Sequence, residues 1–141
     1  MVAYNKFQPF VQYVCNGNFN LGSDTLKVGL SNTAPTASSS SWSSITEISS
    51  GNGYTTGGNS LTGVSSSQTS GTETLSANNT TWTATGAMAT FRYVVLYDST
   101  PASNGLIAWW DYGSGISMNN GDTFTVQWNG GSSSGTIFTM S

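Results

Sequence analysis

Apolar residues near the start of the chain recur at helical spacing. They follow one another at intervals of three and four residues, which gives a single apolar stripe. The stripe consists of Phe7, Phe10, Val11 and Val14. Proline is tolerated in the first turn of a helix, so Pro9 predicts a helix that begins near Gln8 and ends by residues 16–17. Residues 4–7 are expected to lead into it as an arm.

From residue 25 onward the apolar period changes to two, as in β-strands. The strongest run is 91–97, which is rich in aromatic and branched residues and is expected to pair with 106–110 across the turn at 98–105. The final segments, 123–128 and 136–140, are predicted to form a hairpin with each other. Further strands are predicted at 26–30, 45–48, 60–68, 73–75 and 81–85.

The alternation of short strands and turns indicates a mainly β fold. About seven or eight strands, with turn signals every eight to twelve residues or so, are typical of an antiparallel β-sandwich or barrel. We therefore expect a single domain over residues 1–141, with a short helical arm at 1–20 and a β-rich body at 21–141.

Composition removes several classes of chemistry. The chain has no histidine, so Ser-His-Asp catalysis, histidine-ligated zinc and histidine pH switches have no residues to work with. The single Cys15 has no intrachain disulfide partner, and we expect it to be a small buried apolar residue. No residue pattern calls for a cofactor or a metal.

Charge and hydropathy bear on partners and location. Three basic residues in a chain of net charge -3 argue against binding to nucleic acid or to anionic membranes. The first ten residues lack a continuous apolar leader, and no stretch approaches the roughly 18 apolar residues of a membrane span. We expect the protein to be made in a reducing cytoplasm.

Four aspartates lie at predicted strand ends or turns, where a carboxylate can cap a backbone N–H. They are Asp24, Asp98, Asp111 and Asp122. A weak calcium site and a carboxylate pair that hydrolyses glycosides are the alternatives. The segment 131–135 matches the pattern of a hydrolase nucleophile elbow, but without a histidine it is expected to be a hairpin loop.

The aromatic residues suggest an interface. Trp109 and Trp110 are adjacent, so in a strand they point to opposite faces, and one can lie in the core while the other faces a second side. The chain also has few charges with which to protect sheet edges, so its edges are expected to be covered by its own helix or by neighbouring copies. The candidate interface residues are Tyr4, Phe7, Phe10, Trp42, Tyr54, Trp109 and Trp110.

Several blocks of sequence carry a family resemblance. They are 21–28, then 45–48 with 51–54, and above all 91–97 through 109–113. In this order they resemble small virion structural proteins of tailed bacteriophages. The resemblance implies an N-terminal helix followed by a β-rich body, and a structural role in the particle. This chain departs from the group in its helix, which carries Pro9 and few charges.

On this resemblance we expect a non-enzymatic head decoration or cement protein that binds and stabilises the major capsid protein lattice on the virion surface. It would act in symmetric copies, for example as trimers at threefold positions. One alternative is a tail or tail-fibre component that binds host glycans by stacking sugars on exposed Trp or Tyr. The other is a small hydrolase that uses carboxylates.

Overall fold

The computed structural model describes residues 2–141, and almost all of its regular structure is antiparallel β-strand. Strands account for 48% of the chain and helix for 6%, which confirms the mainly β prediction. In chain order the elements are β1 Asn5–Lys6, α1 Phe10–Cys15, β2 Leu26–Ser31, a 3-10 turn Trp42–Ser44, β3 Asn59–Ser60, β4 Ser65–Thr69, β5 Thr72–Asn78, β6 Thr80–Thr83, β7 Met88–Asp98, β8 Leu106–Met118, β9 Thr123–Val126 and β10 Ser134–Met140.

The strands form three sheets. The largest has five strands in the order β1-β8-β7-β2-β3, a second has the order β10-β5-β4, and a third pairs β6 with β9. Ten strands fit a sandwich-like fold, and they exceed the expected seven or eight partly because β1 and β3 are edge strands of two residues each. A strand of two residues is too short to show a periodic pattern in the sequence.

The long hairpin of β7 and β8 is the centre of the largest sheet. Val94 lies opposite Trp110 and Val95 lies opposite Trp109, so the predicted pairing of 91–97 with 106–110 is confirmed. One side of this sheet covers the main core, to which β2 contributes Leu26, Val28 and Leu30, all fully buried. Burying such side chains stabilises the fold by about 1.5–3 kcal/mol each.

The N-terminal segment is only partly helical. Helix α1 spans Phe10–Cys15, and Pro9 occupies the N-cap position, where its missing N–H costs nothing. The arm before it is extended, because residues 5–6 add to the edge of β8 as strand β1. Cys15 is exposed, so its predicted burial is wrong: it lies at the end of a helix that buries Phe10 instead.

Three strand predictions need correction. The predicted strand at 60–68 is interrupted, because residues 61–64 form no strand between β3 and β4. The last two strands do not pair with each other over their length: β9 pairs with β6, and β10 pairs with β5. A single bridge between Asn129 and Thr136 is what links their ends. Side-chain packing favours the pairing of β9 with β6, because it places Phe124 of β9 against Trp82 and Phe91. The segment 45–48 is not a strand and makes one bridge to the end of β2.

Candidate functional site

The five-stranded sheet carries a second aromatic cluster on the face opposite the main core. As predicted, the two adjacent tryptophans lie on opposite faces: Trp110 points into the main core and Trp109 packs on the other face. We call this second surface the outer aromatic face. Its buried members are Phe7, Val95, Tyr97 and Leu106, and its half-buried members are Trp42, Ile45 and Trp109. It is the surface on which two large tryptophans are partly open to solvent.

Trp42 is held flat against the sheet. Its ring stacks on that of Tyr97 with centroids 4.4 Å apart and planes 12° from parallel. Gly29 on β2 makes room for it, because a Cβ built on Gly29 would overlap the Trp42 ring. The Tyr97 hydroxyl donates to the carbonyl of Gly57 at 2.8 Å, and burial raises the pKa of Tyr97 to about 12. This stack anchors the serine-rich segment 38–41, which precedes Trp42, to the sheet.

Trp109 is positioned by the N-terminal arm. Strand β1 pairs Asn5 with Trp109, and this register brings Phe7 beside the Trp109 ring with centroids 4.5 Å apart. The Phe7 N–H donates to the carbonyl of Ile107 at 3.1 Å, which fixes the arm over the sheet. The two half-buried tryptophans are therefore locked in place by packing rather than left as mobile surface groups.

The structure separates the predicted interface residues into two groups. Tyr4 is 37% exposed, and Trp42 and Trp109 are half-buried, so these three are available to a partner. The other four belong to the core of the chain, and their prediction as interface residues is wrong. These are Phe7, Phe10, Tyr54 and Trp110, exposed by 0, 3, 2 and 7%. Sequence alternation showed that two faces exist but not that the chain itself covers most of both.

Tyr54 joins distant segments from inside the core. Its hydroxyl accepts from the N–H of Leu30 at 3.1 Å and donates to Glu47 Oε1 at 2.7 Å. The same carboxylate oxygen accepts from the N–H of Gly57. Burial raises the pKa of Tyr54 above its usual range, so the hydroxyl stays neutral and serves as a structural hydrogen-bond bridge.

A different surface, separate from the outer aromatic face, surrounds Tyr4. Its ring contacts Trp110 and Phe138, with centroids 5.8 and 6.0 Å away, and burial raises the pKa of Tyr4 to about 12. Met140, on the same side of β10 as Phe138, is 42% exposed. Neither Phe138 nor Met140 was singled out by sequence reasoning, although the alternation in β10 would have placed them on one side of a strand.

A cleft of about 610 Å³ opens beside β8 and β9. Its walls are uncharged and include aromatic rings, amides and hydroxyls. The principal lining residues are Trp110, Tyr112, Gln127, Trp128, Asn129 and Ser132. Among them Trp110 and Trp128 are buried, whereas Tyr112 is half-buried and Gln127 is exposed. The predicted loop at 131–135 borders this cleft and has no helix after it.

All four aspartates accept backbone N–H groups, as predicted. Asp24 accepts from Asn20 at 2.7 Å, Asp98 from Thr100 at 3.0 Å, Asp111 from Gly113 at 2.8 Å and Asp122 from Asn119 at 2.8 Å. Within residues 2–141 no three Asp, Glu or Cys side chains come close enough to hold a metal ion.

Asp111 also forms an ion pair. Arg92 donates to it through Nε and one terminal nitrogen, at 2.7 and 2.9 Å. The guanidinium lowers the pKa of Asp111, and both side chains are more than a third exposed. The pair therefore lies on the surface.

Asp98 is a buried carboxyl that lies near Asp24. Asp98 is fully buried, and burial and the nearby Asp24 raise its pKa to about 7, although the Thr100 N–H opposes the shift. Its Oδ2 meets no N–H or hydroxyl donor from the described part of the chain. The neutral form of Asp98 is therefore favoured, because a charge on this buried carboxyl would be both desolvated and repelled by Asp24. Sequence reasoning predicted the turns but not that these two residues meet.

Comparison with protein-family models, curated proteins and solved structures finds no match to this chain. The resemblance to phage virion proteins therefore stays a prediction. Among residues 2–141, no helix is long and apolar enough to cross a membrane.

Proposed function

We propose that the chain is a non-enzymatic structural protein of a bacteriophage virion, a head decoration protein that binds over the major capsid protein and stabilises its lattice. The observation that carries the proposal is the outer aromatic face, where Trp42 and Trp109 are partly exposed on a rigid five-stranded sheet. Trp is enriched among residues that dominate binding energy at protein interfaces.

Rigidity favours binding through this face. A side chain already held in one orientation loses little conformational entropy when a partner covers it. Trp42 is fixed by its stack on Tyr97, and Trp109 by its contact with Phe7. Ionic groups are few in the whole chain, so contacts through aromatic rings and hydrogen bonds are expected to outweigh ion pairs.

The segments that resemble phage virion proteins also support the proposal. The blocks 91–97 and 109–113 lie in β7 and β8, and the end of block 21–28 lies in β2. These are the three central strands of the sheet that displays the outer aromatic face. The resemblance thus falls on the scaffold of the proposed interface.

The proposal is tested by adding purified protein to phage heads that lack it. We expect lattice-wide density in electron cryomicroscopy and a higher melting temperature of the heads. Trp109→Ala is expected to weaken binding by at least tenfold, because truncating an interface hot spot costs about 2 kcal/mol or more. Tyr4→Ala, on a different surface, is the matched control. Binding unchanged by Trp109→Ala in a folded variant, or density confined to tails, would contradict the proposal.

A second candidate function is glycan binding by a tail or tail-fibre component. The cleft favours it, because its uncharged walls combine an accessible Tyr112 ring with the amide of Gln127. Titration with host surface polysaccharide should then change tryptophan fluorescence, and Tyr112→Ala should abolish the change. A flat response across neutral polysaccharides would remove this candidate.

A further inference from the structure

Strand β4, Ser65–Thr69, is an unprotected sheet edge. It is the outermost strand of its sheet, all five residues are exposed, and within residues 2–141 its one strand partner is β5. The pairing with β5 runs without a register shift. Sheet edges are usually protected by charges, proline, bulges or short length. β4 carries no charge and no proline, and it is longer than the two-residue edge strands of the large sheet.

The turn that ends β4 determines which backbone groups are free. Ser70 and Gly71 have φ of 50° and 85°, as required at both central positions of a two-residue type I′ hairpin turn. The residues that flank such a turn form a hydrogen-bonded pair, and hydrogen-bonded and non-hydrogen-bonded pairs then alternate along the ladder. Ser66 and Gln68 are therefore the residues whose N–H and C=O point away from β5.

We infer that β4 pairs antiparallel with β4 of a second copy of this chain, across a twofold axis at Ser67. This register pairs all five residues of the strand. Ser66 of one copy then faces Gln68 of the other, and their outward N–H and C=O groups form four hydrogen bonds across the axis. The two three-stranded sheets become one continuous sheet of six strands.

Charge makes the edge compatible with itself. No residue of β4 is ionised, so two copies bring no like charges together along the pairing strands. The nearest acidic group on the sheet, Glu73, lies on β5 and accepts a hydrogen bond from the Ser66 hydroxyl. Hydroxyl side chains facing each other across strands add favourable contacts. Another protein would need its own complementary strand, whereas a second copy supplies one of the same length.

The contact is weak by itself. Five residues of polar strand bury far less than the roughly 800 Å² per partner of a stable interface. Copies held side by side would form it at high effective concentration. The inference does not rest on the proposed virion function, because the pairing is measured on the purified protein.

The geometry predicts a specific cross-link. With Ser67 on the axis, the two Ser67 residues form a non-hydrogen-bonded pair with Cα atoms about 4.5 Å apart, which is within disulfide range. Ser66 lies opposite the buried Leu75, so Ser65 and Ser67 both project from the other side of the sheet. Two Ser65 residues are offset by four positions, about 14 Å along the strands, which is too far for a disulfide.

The experiment uses the full chain with the exposed Cys15 changed to Ser. Ser67→Cys and Ser65→Cys are each added to this background and oxidised with diamide at high protein concentration. We expect Ser67→Cys to form disulfide-linked dimers at least tenfold faster than Ser65→Cys. Adding Gln68→Pro removes an outward N–H from each copy and should slow the Ser67→Cys cross-link severalfold, with near-native circular dichroism.

Two results would overturn the inference. Equal rates for Ser65→Cys and Ser67→Cys would mean that the dimers come from random collisions. A folded Ser67→Cys protein that stays monomeric at millimolar concentration would show that the edges do not pair.

Discussion

Replacing Asp98 by Asn tests the buried carboxyl most directly. Asp98 has its pKa raised to about 7 from 3.8, chiefly because it is buried. An asparagine resembles the protonated acid: its carbonyl can accept from the Thr100 N–H, and its NH₂ can donate to Asp24. The variant thus keeps the hydrogen bond from Thr100 in a side chain that does not titrate.

The direction in which stability changes with pH follows from the raised pKa of Asp98. The folded state holds the Asp98 proton more tightly than the unfolded state does, so this stabilisation is complete below the unfolded value of 3.8. It declines as pH rises and is lost above about pH 7, where Asp98 is ionised in both states. One pKa unit corresponds to about 1.4 kcal/mol, so the whole loss amounts to at most about 4 kcal/mol.

The assay is urea denaturation followed by tryptophan fluorescence between pH 4 and pH 8. We expect Asp98→Asn to be close to the wild type near pH 4 and more stable above pH 7, by about 2–4 kcal/mol. Asp122→Asn is the matched control, because Asp122 also accepts a backbone N–H but is exposed and unpaired with another carboxyl among residues 2–141. Its stability profile should follow that of the wild type.

A specific result would refute this reasoning. If Asp98→Asn destabilises the protein at pH 8, the buried group is not an uncompensated charge there. If the difference between Asp98→Asn and the wild type does not change with pH while the Asp122→Asn control behaves as expected, Asp98 does not titrate in this range.

Four further substitutions test packing and surface charge. Gly29→Ala places a methyl group where the Trp42 ring lies, so thermal unfolding should show a loss of about 1–3 kcal/mol. Trp82 and Trp128 are both buried, but within residues 2–141 the Trp82 indole N–H has no acceptor whereas that of Trp128 has one. Trp128→Phe should therefore cost about 1 kcal/mol more than Trp82→Phe in urea unfolding, and equal costs would contradict this. Arg92→Gln should leave the melting temperature unchanged within error, since the ion pair it removes is solvent-exposed.

Local sequence patterns were sufficient to predict many of the strands and the central hairpin. The period of two in 26–30 predicted β2, because alternation along a strand is a property of the backbone itself, and the run of aromatic and branched residues at 91–97 predicted β7. The pairing of β7 with β8 was also predictable, since a short turn brings adjacent strands together. The absence of histidine excluded whole classes of site with no reference to structure.

Partners that are distant in the chain could not be predicted in the same way. Strand β10 was assigned to β9, its neighbour in sequence, but it pairs with β5. Asp24 and Asp98 are far apart in sequence. They lie close together because Asp24 comes just before β2, and β2 pairs with the end of β7 that carries Asp98. Such meetings depend on which apolar faces pack together, and no local pattern records that choice.

For the aromatic residues, too, the sequence determined one property and the tertiary structure another. Sequence alternation determined that Trp109 and Trp110 lie on opposite faces of one strand. Only the tertiary structure decided that the N-terminal arm and Trp42 cover the face of Trp109, burying Phe7 and leaving both tryptophans half exposed. The physical reason is that burial is a property of the whole packed chain, since each residue's exposure depends on segments that fold over it from elsewhere.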